Sequence, residues 1–198
     1  AYKEYPFKEN QLINKPLSFY AATKISNEMM SHSYSNIYKL PITGLRYFTV
    51  YGPWGRPDMA PMIFSKNIIS RKPISIYNYG KMSRDFTYIQ DIVEGTFLCA
   101  LKAPKINSKD SNDNLIIPNN LFNIGFGKPV NIEYFIELLE DAFSIKAIKE
   151  YEKIQPGDVK RTFADTTSLE KWTGYKPKIS LEEGVSNFAK WYMKYFKN

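Results

Sequence analysis

Ser18-Phe19-Tyr20-Ala21-Ala22-Thr23-Lys24 decides how the rest of the chain is read. Pro16 cannot lie inside a helix and Ser18 can cap the first free N–H groups of one, so a helix is predicted to open here and run to about Asn36. Phe19, Ala22, Ile25 and Met29 recur at helical spacing and predict an apolar face. Tyr20 and Lys24 are one turn apart and project side by side. A free phenol is a weak base at neutral pH, and an ammonium held beside it favours the phenolate, so Tyr20 is a candidate general base. The spacing recurs at Tyr77…Lys81, but Asn78 and Gly80 there suit a turn. Context, and not spacing alone, separates the first pair from the second.

The 198 residues suit one large domain or parts of two. With 43% apolar and 16% aromatic residues the chain can build a real core. No apolar run approaches the ~20 residues of a membrane span, and no basic-then-apolar leader is present, so the cytoplasm is the expected location. Cys99 and His32 are each the only residue of their kind, so neither a disulfide nor a zinc site is expected. The net charge of +7 raises nucleic acid as a partner. The lysines are scattered, however, and there are only five arginines to read base edges, so a solvated basic surface is expected instead. The chain starts at Ala1 in mid-pattern and reads like the later part of something longer.

Following the Tyr20 helix, Ile42 to Tyr51 is β-branched and aromatic, predicting a strand that Gly52-Pro53 stops. The loop Trp54-Gly55-Arg56-Pro57-Asp58 then leaves the carboxyl end of that strand, where ligands bind in open α/β sheets. A helix over 62–70, strands over 74–77 and 84–89, and a helix capped by Asp91 with Val93, Phe97, Ala100 and Leu101 on one face come next. Residues 104–119 read as a polar loop and 121–124 as a strand. Asn131 caps a helix burying Ile132, Phe135, Ile136, Leu139 and Phe143. A capping box, Ser180-x-x-Glu183, opens the last helix, with Leu181, Val185, Phe188 and Tyr192 inward. Alternating strands and helices make the class α/β. Gly125-x-Gly127 lacks the third glycine of a dinucleotide loop, and no glycine-rich strand–turn–helix occurs in these residues.

Several blocks occur in one order: Tyr20-x-x-x-Lys24, the run Leu45 to Ala60 (LRYFTVYGPWGRPDMA), Tyr77 to Met82 (YNYGKM), Arg84 to Ile89 (RDFTYI) and Pro156-Gly157-Asp158-Val159. Together they resemble the extended short-chain dehydrogenase/reductase family, in its NAD-dependent nucleotide-sugar epimerase/dehydratase branch, and most of all the UDP-glucuronate 4-epimerases. The resemblance implies the C-terminal part of a Rossmann-type fold with a smaller sugar-nucleotide-binding α/β domain. Residues 1–52 would be the last elements of the NAD-binding domain. Residues 53–198 would be mostly the substrate domain, with part of 84–125 returning to the Rossmann sheet.

It also implies roles. Tyr20 would be the base, and Lys24 would hold the nicotinamide ribose of NAD, with Tyr47 also at the cofactor. The UDP-sugar would meet Arg84 at the pyrophosphate, Tyr77 at uracil, Asp158 at the ribose, and Thr49 and Arg56 near the C6 carboxylate. Thr49 stands where many UDP-hexose epimerases have Asn, and Gln155 where they have a second pyrophosphate arginine; both changes are shared with the glucuronate branch. The glycine-rich loop and the catalytic Ser/Thr of the family are not in this sequence, so the 198 residues alone are expected to be inactive. A homodimer is expected through the Tyr20 helix, with Met29, Met30 and Tyr34 either at that surface or on the chain's own sheet. The competing readings are a 4,6-dehydratase and a non-catalytic sugar-nucleotide-binding remnant. Local alternatives also stand: Arg84 could pair with Asp85 at the surface, and Arg56 could pair with Asp58 and merely stiffen its loop.

Overall fold

The computed structural model describes residues 5–11 and 15–196; the other positions of the loop expected over 1–16 lie outside the described residues. Ser18 caps the first helix as its sequence predicts, its Oγ accepting from the Ala21 N–H at 3.1 Å, and α1 runs Phe19–Tyr38. The predicted apolar face is not buried, however. Phe19 and Met29 are exposed, as are Met30 and Tyr34, and Ser35 is the one buried residue of the helix.

The predicted strand from Ile42 to Tyr51 is two strands, β1 (Ile42–Tyr47) and β2 (Thr49–Tyr51), because the chain changes partner at Phe48. β1 lies parallel to β6 (Asn119–Ile124), with Leu45 opposite Phe122. β2 lies parallel to β5 (Phe86–Tyr88), with Thr49 opposite Phe86. At the switch the Phe48 N–H donates to the Ile124 carbonyl and the Thr49 N–H to the Asp85 carbonyl, both at 3.1 Å. A further parallel pair joins β3 (Pro73–Ile76) to β8 (Ile148–Tyr151), and β4 (Ser83–Arg84) runs antiparallel to β7 (Val130–Asn131). The class is α/β with parallel strands.

Helices α2 (Ala60–Ile69), α4 (Ile132–Phe143) and α6 (Leu181–Phe196) pack round β2, β3 and β5. Their shared core includes Tyr51, Ile74, Ile76, Phe86, Phe135, Leu139 and Phe188. Phe86 stacks on Phe135 with centroids 4.3 Å apart. Asn131 does cap α4, its Oδ1 accepting from the Glu133 N–H at 2.7 Å. The Ser180 Oγ likewise accepts from the Glu183 N–H at 3.2 Å. α6 approaches β2 so closely that a Cβ at Gly184 would collide with the Tyr51 hydroxyl, which donates to the Leu181 carbonyl at 3.3 Å.

A second cluster, Ile92, Cys99, Phe122, Ile124 and Leu169, joins α3 (Ile89–Leu101) and α5 (Thr167–Thr173) to β6. Here two expectations are corrected. Asp91 does not cap α3, because Ile89 and Gln90 are already helical and Tyr88 is the cap residue. Its buried carboxylate turns away and accepts from the Tyr175 hydroxyl at 2.6 Å and from the Lys178 and Ile179 N–H groups. The inward face is Ile92, Gly95 and Cys99, whereas Val93, Phe97 and Leu101 are exposed. Gly95 sets that face: a Cβ there would stand 2.7 Å from Ile124 Cδ1.

The predicted strand over 84–89 is broken at Asp85, which is fully buried. Its carboxylate accepts from the N–H groups of Phe126 (2.9 Å), Gly127 (3.0 and 3.2 Å) and Ala164 (2.9 Å). Burial pushes this carboxyl above the usual carboxylate range, and the N–H groups pull it part of the way back. Asp85→Ala takes away the carboxylate to which the Gly127 and Ala164 N–H groups donate. Orphaned buried donors cost about 1–3 kcal/mol each, so a loss of about 2–5 kcal/mol is expected in a urea melt of this chain. An unchanged melt would contradict the keystone role of Asp85.

Candidate active site

The start of α1 places Tyr20 at the mouth of a cavity of about 990 Å³. Lys24 lies one turn on, with Nζ 5.2 Å from the centroid of the Tyr20 ring. At that distance the ammonium rests against the face of the ring, a cation–π contact. The end of β1 contributes Tyr47, whose hydroxyl shares a hydrogen bond with Thr96 Oγ1 at 3.2 Å, and the start of β2 contributes Thr49. Both line the cavity.

The loop after β2 is rigid for a visible reason. Trp54 sits in the left-handed region at φ 63°, a conformation that costs energy for a bulky residue. Its ring is held edge-on against Trp191 (5.5 Å) and Tyr195 (4.7 Å) of α6. Arg56 follows on the cavity wall. It donates to Asp58 through Nε at 3.1 Å and Nη2 at 2.5 Å. The pair raises the Arg56 pKa and lowers that of Asp58. Both side chains are about two-thirds exposed, however, and such pairs are weak and readily exchanged. Arg56 therefore both stiffens its loop and faces the cavity.

Arg84 lines the same cavity. Its Nη2 donates to Asp158 Oδ1 at 2.7 Å and its Nη1 to the Ser83 carbonyl at 3.0 Å. Burial draws the guanidinium below its usual range, and Asp158 partly restores it. A surface pair between Arg84 and Asp85 does not form, since Asp85 is turned into the interior. Five sequence-predicted residues thus share one cavity: Tyr20, Tyr47, Thr49, Arg56 and Arg84. Lys24 stands behind Tyr20 and Asp158 behind Arg84. Tyr77 is not in the lining; half-buried, it begins the 3₁₀ turn Tyr77–Gly80 between β3 and β4, where Asn78 and Tyr79 take left-handed φ values of 51° and 52°.

Phe7, Lys8, Arg46 and Asn123 also line the cavity and escaped sequence reasoning. The 5–11 segment is tied down by partners far along the chain. Asn123 Nδ2 donates to the Phe7 carbonyl at 2.8 Å, and the Asn123 N–H donates to Glu9 Oε1 at 2.9 Å. No local pattern announces contacts across more than a hundred residues. Among the described residues no group of three or more His, Cys, Asp or Glu could hold a metal, and no helix is long and apolar enough to cross a membrane.

A tyrosine on the first turn of a helix, with a lysine one turn behind it, opens on a cavity lined by three arginines, Arg46, Arg56 and Arg84, which suits an anionic, hydroxyl-bearing ligand. Residues 2–125 match the NAD dependent epimerase/dehydratase family, and the chain belongs to it. Within it, the chain is 45% identical over 198 residues to a probable UDP-glucuronate 4-epimerase of Rhizobium meliloti (97% of this chain, 58% of that protein). It is 41% identical over 198 residues to UDP-glucuronate 4-epimerase 1 of Arabidopsis thaliana (98% and 46%). A UDP-glucuronic acid 4-epimerase from Bacillus cereus, solved in complex with UDP-glucuronic acid and NAD, superposes with a TM-score of 0.84 at 35% identity (99% of this chain, 59% of that one). The chain therefore spans about half to three-fifths of the length of these relatives. The exposed phenol of Tyr20 and the ammonium of Lys24 beside it are hydrogen-bonding groups of the kind a ribose hydroxyl meets, and these 198 residues carry no glycine-rich strand–turn–helix for a dinucleotide pyrophosphate.

Proposed function

We propose that this chain belongs to a UDP-sugar 4-epimerase acting on UDP-glucuronate, and that it supplies the catalytic tyrosine and the sugar-nucleotide site. The observation that carries this reading is the meeting of Tyr20, Thr49, Arg56 and Arg84 in one cavity. The chemistry a bound NAD would supply is reversible hydride exchange with C4 of the sugar. The phenolic oxygen of Tyr20 takes the proton of the 4-hydroxyl as that hydride leaves, and returns it once the 4-keto sugar has presented its other face. Lys24 holds the nicotinamide ribose and keeps a positive charge beside the phenol through both steps. Tyr47, on the cavity wall, is a cofactor contact by resemblance.

Arg84 binds the pyrophosphate, because a guanidinium fork matches phosphate oxygens. Asp158 holds that fork and reaches the ribose, and Tyr77 is the uracil residue by resemblance. Arg56 and Thr49 read the C6 carboxylate, with the incoming carboxylate replacing Asp58 on Arg56. An arginine left facing a neutral hexose would lose that partner, which is how the site prefers a uronate. The packing of Leu45 and Val50 with Ile92, Cys99, Phe122 and Ile124 supports reading residues 1–52 and part of 84–125 as Rossmann elements, and the cluster joining β3, α4 and α6 supports a substrate lobe within 53–198.

In the full-length protein Tyr20→Phe is expected to lower kcat by about 10²–10⁴-fold with substrate affinity nearly intact; a variant keeping most of its rate would show that Tyr20 is not the base. Arg56→Ala is expected to cost kcat/KM for UDP-glucuronate roughly 10–200-fold while UDP-glucose is spared. Equal losses on both substrates would make Arg56 structural. The 198 residues alone are expected to show no turnover and no micromolar NAD binding by calorimetry, and turnover by them would contradict the assignment of cofactor binding to elements outside this sequence.

A further inference from the structure

α1 carries the proposed base, yet apolar burial does little to fix it, since Ser35 is its one buried residue. What ties its middle to the sheet is an ion pair. Arg46 of β1 donates to Glu28 through Nε to Oε1 and Nη2 to Oε2, both at 2.8 Å, and through Nη1 to the Glu9 carbonyl at 3.4 Å. The two side chains are only 20% and 23% exposed, and among the described residues this is the only ion pair made from α1. A two-pronged, half-buried fork of this kind fixes orientation as well as distance.

Glu28 is one helical turn beyond Lys24, which is one turn beyond Tyr20, so the three share a face. A free Glu28 carboxylate would be the nearest counter-charge to Lys24 on the helix. In the structure both carboxylate oxygens are taken by Arg46, and the Lys24 ammonium lies on the Tyr20 ring instead. The other charged groups near these residues are Glu9, whose carboxylate accepts from the N–H of Asn123 opposite Arg46 and from Ser168 Oγ, Lys8 on the cavity wall, and the Arg56–Asp58 pair.

We propose that Arg46 is a positioning residue: by capturing both oxygens of Glu28 it keeps that carboxylate from drawing Lys24 away from Tyr20. This rests on the reading of Tyr20 as the base and adds a competition between Arg46 and Lys24 for one carboxylate. The competition has an asymmetry that a purely structural lock lacks: either single substitution breaks the lock, but only the loss of Arg46 leaves a free carboxylate beside Lys24. Removing Arg46 alone frees the decoy, whereas removing Arg46 and Glu28 together leaves none.

The test uses full-length protein with NAD and UDP-glucuronate, comparing Arg46→Ala, Glu28→Gln and the double variant. Arg46→Ala is expected to lose about tenfold or more in kcat, with KM within about twofold because Arg84 and Arg56 are untouched. The double variant is expected to recover to within about threefold of wild type, a coupling of opposite sign to simple additivity. Glu28→Gln alone keeps most of the rate despite a lower melting temperature, which keeps the test usable if Arg46→Ala does not fold. A double variant as poor as Arg46→Ala, a Glu28→Gln variant as poor as Arg46→Ala is expected to be, or a rise in KM at constant kcat would each overturn the proposal. Tyr20→Phe retaining its rate would overturn the parent reading instead, so the two failures are separable.

Discussion

The carboxylate of Asp85, buried where three segments meet, is the constraint on which the rest depends. Its side chain receives N–H groups from the turn after β6 and from the segment before α5, while its backbone carbonyl receives the N–H that opens β2. A charge taken out of water is costly, and three N–H bonds roughly offset that cost without much surplus. What Asp85 contributes is therefore geometry: it forces the chain to switch from the β1–β6 pairing to the β2–β5 pairing at one place. The cavity opens at that switch. Thr49 begins the new pairing, Tyr47 ends the old one, and Arg84, one residue before Asp85, turns outward into the space between them.

Both candidate ligand-binding arginines are already paired with carboxylates of the chain, but in different environments. Arg84 and Asp158 are largely withdrawn from solvent, so the guanidinium is preorganised and much of its desolvation precedes any ligand. Arg56 and Asp58 are open to water, so their pairing is easily traded for another carboxylate. The first arrangement suits a group common to all nucleotide sugars, and the second suits a group that distinguishes one sugar from another. Tyr20 is set apart from both by being carried on a helix whose hold on the sheet is ionic.

What could be read from the sequence was local. Ser18, Asn131 and Ser180 cap the helices they precede, and the stripe Phe135, Ile136, Leu139, Phe143 is buried as its spacing says. The run from Leu45 to Ala60 was long enough to mark the site, and Tyr20, Thr49, Arg56 and Arg84 do meet there. What could not be read depends on distant partners. Phe48 and Asp85 break their strands because other strands compete for them. The inward face of α3 is set by the approach of Ile124 and Tyr175 to Gly95, so the stripe chosen by spacing was the wrong one. Strand β8 lay in a lysine-rich stretch and exists because β3 offers it an edge. Arg46 and Glu28 are unremarkable in sequence and become a unit only when β1 passes under α1.

The central claim we propose is that this site supports reversible oxidation at C4 of the sugar without proton exchange at C5. Running the full-length protein with NAD on UDP-glucuronate in D₂O, and following the sugar by proton NMR, tests it most directly. The account predicts conversion to the 4-epimer with the original hydrogen retained at C4 and no solvent deuterium at C5, because the hydride leaves and returns without meeting water. Deuterium at C4 or C5, or no epimer at all, would contradict it.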